Sequence, residues 1–314
     1  MTQPKALTQA LADWPSVSVI IPVLNDEAGL TRCLAALAQQ TYPRSRFESI
    51  VIDNGSDQIE GLQRLAAVHQ ATLIQELAPG AYAARNAGIA LATGEIIAFT
   101  DADCIPAPDW LERGVEQLEQ HPDCGLVVGR VDVFPQDRER PNLVEVYQMV
   151  TAFRQDHFLQ QFRGGATANV FTRRSVMETV GGFNPELKSF GDFEWGQRIY
   201  GAKYSQIYAP DVRVEHPTRP TWAALRKQTL RDAGGFYDYF VGRQGRGAQR
   251  HITLVKMVFL DLIPPVNFAV STFRDKRLKT LRQRLGVAWV FCCIRYLNAF
   301  EKIRLWLGGT SIQG

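Results

Sequence analysis

Two aspartates two positions apart, Asp101 and Asp103, follow the apolar run Ile96-Ile97-Ala98-Phe99. Carboxylates spaced i, i+2 at the end of a strand can hold a hard divalent ion, Mn2+ or Mg2+, that keeps coordination positions for phosphate oxygens. Such an ion supplies counter-charge to a departing diphosphate. D-x-D alone is frequent by chance, and its weight here comes from the strand before it. Two more polar clusters close apolar runs: Asn25-Asp26 after Val17 to Val23, and Asp53-Asn54 after Phe47 to Ile52. Singly, each reads as a turn or a helix cap, which Asx residues favour. Three at one sheet edge read as a binding edge.

Positioning these clusters requires the elements between them. Val17 to Val23 is a short β-branched run, the pattern of a buried parallel strand. A helix is expected from about Glu27 to Gln40, with Leu30, Leu34, Leu37 and Ala38 on one face, and Tyr42-Pro43 ends it. Strands follow at Phe47 to Ile52, near Thr72 to Leu77, and at Glu95 to Thr100. Helices lie between them, from about Gln58 to Gln70 and from Ala81 to Ala92. This alternation predicts an α/β fold, a Rossmann-like, mostly parallel sheet flanked by helices, with ligands at the carboxyl ends of the strands. Beyond Asp103 the pattern loosens. Helices are expected over Trp110 to Gln120, Pro141 to Gln161, Arg173 to Thr179 and Asp192 to Ile199. Strands are expected over Gly125 to Val133, Tyr204 to Ile207 and Val212 to Glu215.

The chain of 314 residues accommodates one large domain or two small ones, with a substantial core. Its five cysteines include no C-x-x-C pair, which argues against a disulfide framework or zinc site and fits a reducing compartment. Met1 to Trp14 lacks the apolar core of a secretory signal. The net charge of +3 conceals a split: residues 220–314 carry 16 Lys/Arg against 5 Asp/Glu, and the remainder is net acidic. Such a tail suits an anionic partner. No nucleic-acid reading module accompanies it.

The segments SVIIPVLND (Ser18–Asp26), VIDNGS (Val51–Ser56), ARNAGIALATGEIIAFTDAD (Ala84–Asp103), GGF (Gly181–Phe183) and GDFEWGQR (Gly191–Arg198) together resemble the family 2 glycosyltransferases, which have a GT-A fold. The resemblance covers roughly residues 16–216, in the family's order. It implies a catalytic domain over 16–220, preceded by a lead at 1–15 and followed by a C-terminal helical extension at 221–314. It also implies an inverting, metal-dependent transfer of a hexosyl or N-acetylhexosaminyl group. The donor would be a nucleotide-sugar, taken as a UDP-sugar, and the acceptor a hydroxyl of a glycan or lipid-linked acceptor.

The resemblance further implies roles for residues. Pro22, Leu24 and Asp26 would line the nucleoside pocket, with Asp26 near the ribose. Asp53 would accept from the base N–H, as a carboxylate can from uracil or guanine. Arg85 would lie near the base or diphosphate, or be a surface helix charge. Asp101 would contact the ribose or a metal-bound water, and Asp103 the metal. Asp192 would be the base that takes the proton of the acceptor hydroxyl; its alternative, or additional, role is capping the following helix. The family's Glu-Asp pair is Gly191-Asp192 here, so Glu194 stands as a second acid candidate on the acceptor side. His216 is either a further metal ligand or a loop residue. Trp195 either stacks on an acceptor sugar or packs in the core. The Gln-x-x-Arg-Trp segment of processive synthases is missing, which points to single addition. Gly191 leaves open a non-catalytic subunit of a polysaccharide assembly complex that binds nucleotide-sugars. A nucleotide-dependent oxidoreductase is disfavoured, because no G-x-G-x-x-G follows the first strand.

The C-terminal region carries two apolar stretches, Ile252 to Val270 and Leu285 to Phe300, interrupted by charges and by Pro264-Pro265. Between them lie Arg274, Lys276, Arg277, Lys279, Arg282 and Arg284. Basic clusters beside interrupted apolar helices suit an anionic membrane surface, contacted from the cytoplasmic side. The other reading is a helical lid with a solvated basic face.

Overall fold

The computed structural model describes residues 14–242 and 247–312, so most of the lead at 1–15 lies outside the described residues. One sheet of eight strands organises the chain, in the order β3-β2-β1-β4-β7-β6-β8-β5. Strands β1 (Val17–Val23), β2 (Phe47–Asp53), β3 (Thr72–Gln75) and β4 (Ile96–Thr100) pair in parallel, with Ile20 opposite Ile50 and Phe99. Val19, Ile20 and Ile21 are all fully buried, so β1 is covered on both faces. That double burial is why its sequence is a continuous apolar run.

Helices α1 (Glu27–Leu37), α2 (Glu60–Val68) and α3 (Ala81–Leu91) connect these strands. The buried side of α1 is Leu30, Cys33, Leu34 and Leu37, the i, i+3, i+4, i+7 spacing of one helix face. Each such leucine contributes about 1.5–3 kcal/mol on burial. Helix α3 has small residues where it meets the sheet. A Cβ on Gly88 would lie 2.6 Å from Ile52 Cδ1 and 2.9 Å from Ile20 Cγ2, so only glycine allows this approach.

The other half of the sheet runs against the first. β7 (Asn169–Arg173) is antiparallel to β4 and to β6 (Cys124–Phe134), and β5 (Ile105–Pro106) is antiparallel to β8 (Ser205–Pro217). Helix α4 (Trp110–Gln120) precedes β6. Two expectations are corrected here. The single helix over 141–161 is two, α5 (Leu143–Thr151) and α6 (Gln155–Phe162), parted at Phe153, whose φ of 47° no helix accommodates. The two strands expected over 204–215 are one strand, β8, in which Val212, Val214 and His216 alternate inward. Helices α7 (Arg174–Val180) and α8 (Gly191–Gly201) complete this region.

The chain forms two compact units. One holds residues 14–132, 153–185 and 192–216; the other holds 133–152, 186–191 and the described residues from 217 onward. The second unit is helical: α5, α9 (Trp222–Tyr237), a π-helical turn at Asp238–Gly242, α10 (Ala248–Leu262), α11 (Val266–Arg274) and α12 (Leu281–Trp306). The Asn142–Glu145 capping box starts α5, and Thr280 with Gln283 does the same for α12.

A buried amide joins the antiparallel strands of the first unit. Asn169 accepts from the Trp110 indole N–H at 2.9 Å and donates to the carbonyls of Arg130 and Val212 at 2.8 and 2.9 Å. It is wholly buried, so removing it strands three polar groups away from water. We expect Asn169→Ala to lower the unfolding free energy by about 2–4 kcal/mol. Urea denaturation followed by tryptophan fluorescence checks this, and a loss within experimental error of zero would show that the amide is dispensable.

Candidate active site

The carboxyl end of β4 and the start of α3 meet through one ion pair. Arg85 Nη2 lies 2.6 Å from Asp101 Oδ1, with the arginine side chain 6% and the aspartate 30% exposed. A guanidinium this buried is stable only when paired. Arg85 Nε is also buried and has no hydrogen-bond partner. The Tyr82 ring, one turn earlier, lies 5.8 Å from the guanidinium carbon. Gly80 starts this helix with φ 114°, a conformation glycine tolerates, and its N–H donates to Asn54 Oδ1.

Asp192, at the start of α8, joins this cluster from a distant part of the sequence. It accepts from the Tyr82 hydroxyl at 3.3 Å and from the Phe193 N–H at 3.1 Å. Burial pushes its carboxyl above the usual range; the nearby Arg85 charge and these hydrogen bonds oppose the shift without cancelling it. Asp192 therefore does bond the helix start, and it is also a desolvated acid facing a cation.

Asp103 and His216 come together from opposite ends of the domain. Antiparallel pairing sets Ile105 opposite Glu215, and the inward alternation of β8 aims His216 at the aspartate. His216 Nε2 lies 3.4 Å from Asp103 Oδ1, and the Phe153 ring packs 4.5 Å from the imidazole. Cys104 is within reach of both, the three donor atoms lying within 4.8 Å of one another. Its thiol is unsuited to ligation: it is buried, it donates to the Ala168 carbonyl, and burial pushes its pKa well above the usual value, with Asp101 and Asp103 acting in the same direction. One carboxylate oxygen and one imidazole nitrogen remain, a pair that fits a Mn2+-type ion sharing phosphate oxygens.

The remaining expected residues lie at the ends of β1 and β2. Pro22 is half-buried within β1 and Leu24 is 46% exposed just beyond it. Asp26 caps α1, its Oδ1 accepting from Gly29 N–H at 2.8 Å. Asp53 is 0% exposed and holds its own loop, accepting from Ser56 N–H and from Gln75 Nε2, both at 3.0 Å. Burial works to raise its pKa, yet these hydrogen bonds outweigh it and hold the carboxyl below its ordinary value. The expected contact of Asp53 with a base is thus closed off in this structure, because its oxygens face the loop.

On the acceptor side, Trp195 takes its core alternative in place of sugar stacking, and the expectation for Glu194 is corrected. Trp195 is 1% exposed, wedged against Phe99 and Phe183 at 5.9 and 4.9 Å between centroids. It is a core aromatic with no ring face open to a sugar. Glu194 is held by Arg198 one turn later, at 3.1 Å, and the same guanidinium donates to the carbonyls of Val180 and Gly182. The carboxylate fixes α8 to the 180–182 turn instead of facing an acceptor.

Sequence reasoning passed over Tyr82 and Asn86. Asn86 clamps Phe183 from both sides, donating to its carbonyl at 2.7 Å and accepting from its N–H at 2.8 Å. A Cβ on Gly182 would sit 2.4 Å from the amide oxygen of Asn86. The ARNAG and GGF segments are therefore two halves of one joint. The signal for Tyr82 was weak, since a tyrosine in the first turn of a helix reads as packing.

Residues 18–181 match the model of glycosyl transferase family 2, and the chain belongs to that family. It is 38% identical over 297 residues to glycosyltransferase AglE of Haloferax volcanii, covering 91% of this chain and 94% of that one. It is 27% identical to the probable glycosyltransferase YdaM of Bacillus subtilis, over 72% of this chain and 56% of that one. Among solved structures it is similar to the mannosyltransferase PcManGT of Pyrobaculum calidifontis, determined with GDP-Man and Mn2+. The TM-score is 0.63 at 21% identity, covering 95% of this chain and 89% of that chain. The fold is that of the GT-A glycosyltransferases, and the protein is a glycosyltransferase.

The Asp103–His216 pair generates a direct test. Calorimetric titration with Mn2+ and a nucleoside diphosphate should show binding that EDTA abolishes. Asp103→Ala should eliminate the metal-dependent part, and His216→Ala should weaken it by about tenfold or more. Cys104→Ala should leave it unchanged. Equal nucleotide affinity with and without EDTA would remove the metal role from this pair.

Proposed function

We propose that the chain transfers a hexosyl or N-acetylhexosaminyl residue from a nucleoside-diphosphate sugar, a UDP-sugar, to a hydroxyl of a glycan or lipid-linked acceptor. The transfer inverts the anomeric centre and adds one sugar per encounter, at the cytoplasmic leaflet of a membrane. The observation that carries this reading is the Asp192–Tyr82–Arg85–Asp101 cluster: a desolvated carboxyl bonded to a tyrosine and facing an arginine that is paired at the D-x-D end of β4.

In this reading Asp192 accepts the proton of the acceptor hydroxyl as its oxygen bonds to the anomeric carbon. The bond from that carbon to the diphosphate breaks, and its electron pair leaves with the nucleoside diphosphate. Arg85 faces the charge that develops there and opposes it electrostatically. Asp103 and His216 would hold the divalent ion, whose chemistry is to neutralise the diphosphate; the imidazole favours Mn2+ over Mg2+. Asp101 stays paired with Arg85, which fixes the guanidinium beside the base. Pro22, Leu24 and Asp26 flank the nucleoside end. Guanine is the second candidate base, because the similar mannosyltransferase was determined with GDP-Man. A thermal-shift screen of UDP- and GDP-sugars with Mn2+ distinguishes the two, since a bound donor raises stability by mass action.

The base is tested by Asp192→Asn, which should lower kcat by about 10²–10⁴ with donor affinity unchanged. Turnover near that of the unmodified enzyme would move the role to another group. The pH profile is the finer test. Asp192 must be ionised to act, so kcat/KM falls as pH drops through its pKa, and that acid limb should lie above the ordinary carboxylate range. Tyr82→Phe removes a hydrogen bond that favours the ionised form. The limb should then move to still higher pH, while the rate on the alkaline plateau changes little. A limb that moves down or stays fixed would separate Tyr82 from the base.

A further inference from the structure

In the helical unit, apolar side chains face outward on three helices. Phe259 on α10, Ile263 in the bend after it, Val266 on α11, and Leu285, Trp289 and Phe300 on α12 are each more than two-fifths exposed. On α12 Leu281, Leu285 and Trp289, and two turns later Tyr296, Phe300 and Ile303, are exposed at spacings of three or four. They form one stripe along a 26-residue helix, which is ~39 Å long. Surfaces of this kind are covered by something in the working protein.

The packing decides how these helices can lie. The other face of α12 is buried along its length: Val287, Val290 and Ile294 pack with Tyr147 and Leu225, and Leu305 packs with Tyr237 and Leu254. The α10–α11 pair then runs back beside α12. His251 of α10 meets Trp306 at 5.9 Å, and Phe268 of α11 stacks on Phe291 at 3.8 Å. Among the described residues no single helix is long and apolar enough to cross a membrane; the α10–α11 pair reaches that length and composition only when taken together, and it bends by 44° at Pro264-Pro265. The carbonyls freed at this bend are closed by protein. Arg295 donates to the carbonyls of Leu260, Asp261 and Ile263, although Leu260 and Ile263 are exposed. A helix end in water needs no such donor, whereas one in an apolar medium does.

Charge names the occupant. Residues 247–312 contain eleven Lys/Arg and three Asp/Glu. All three acids are matched internally: Asp261 by Lys302, Asp275 by Arg277, and Glu301 by Arg304. The surplus is positive and includes the exposed Lys256, Arg274, Lys276, Lys279 and Arg282. A second copy of the chain would set one basic rim against another. An anionic bilayer takes both the stripes and the rim.

We propose that α10, α11 and α12 lie flat at the headgroup–acyl boundary of an anionic leaflet, as one in-plane apolar layer whose bend is sealed by Arg295. The layer neither spans the bilayer nor dips into it. This rests on the membrane reading given above and supplies its geometry. The test uses the full chain with Cys292→Ser and Cys293→Ser, the other three cysteines being buried. Single cysteines placed by Ile252→Cys, Ile263→Cys and Phe273→Cys carry a nitroxide, and their immersion depth is read on phosphatidylcholine–phosphatidylglycerol vesicles. Comparable shallow depths at all three positions are expected. Depth increasing steadily from 252 to 273 would make the pair a span, and a maximum at 263 would make it re-entrant; either overturns the in-plane layer. Flotation without immersion of any label would do the same while leaving membrane association standing. No flotation at low salt would remove the membrane reading itself. Lys276→Glu with Lys279→Glu should lower binding to anionic vesicles at low salt at least tenfold and leave the salt-resistant fraction in place. Arg277 is spared because its guanidinium holds the Met149 carbonyl at 2.9 Å.

Discussion

A guanidinium shut inside a protein must have an anion beside it, and Arg85 has Asp101. This constraint reaches well beyond the two residues. It ties the first turns of α3 to the end of β4, while further along the helix Gly88 allows close approach to Ile20 and Ile52 on the neighbouring strands. It sets a positive charge under Asp192, which moderates a shift that burial alone would make larger. It also leaves Arg85 Nε buried without a hydrogen-bond partner.

The parallel half of the fold was legible because both faces of its strands are covered, and double coverage writes itself as unbroken runs such as VSVIIPV. The break between α5 and α6 was not. It depends on Phe153 taking a left-handed conformation, and phenylalanine carries no local sign of that. The unity of β8 was hidden for a related reason: its first half is half-exposed and only the later residues alternate.

Site residues divide along the same line. Asp101 and Asp103 could be named from the chain because their strand ends at the sheet edge, whereas His216 could be named only through the family resemblance, as a metal ligand or a loop residue. Trp195 and Glu194 could not be placed, since their roles are decided by partners elsewhere: Phe99 and Phe183 for one, Arg198 and the 180–182 carbonyls for the other. The raised pKa of Asp192 likewise comes from its burial in the folded chain, a shift that the Tyr82 hydroxyl, 110 positions away, opposes.

The Asn86–Phe183 clamp joins positions 97 apart in the chain. Contacts of that separation form late, because the entropy of closing the loop must be met before the contact gives anything back. The β1–β4 pairing spans a similar separation, Val17 lying opposite Ile96, and carries the same cost. The clamp ties α3 to the 180–182 turn that Arg198 also holds, so a change at Asn86 reaches α8, where Asp192 sits.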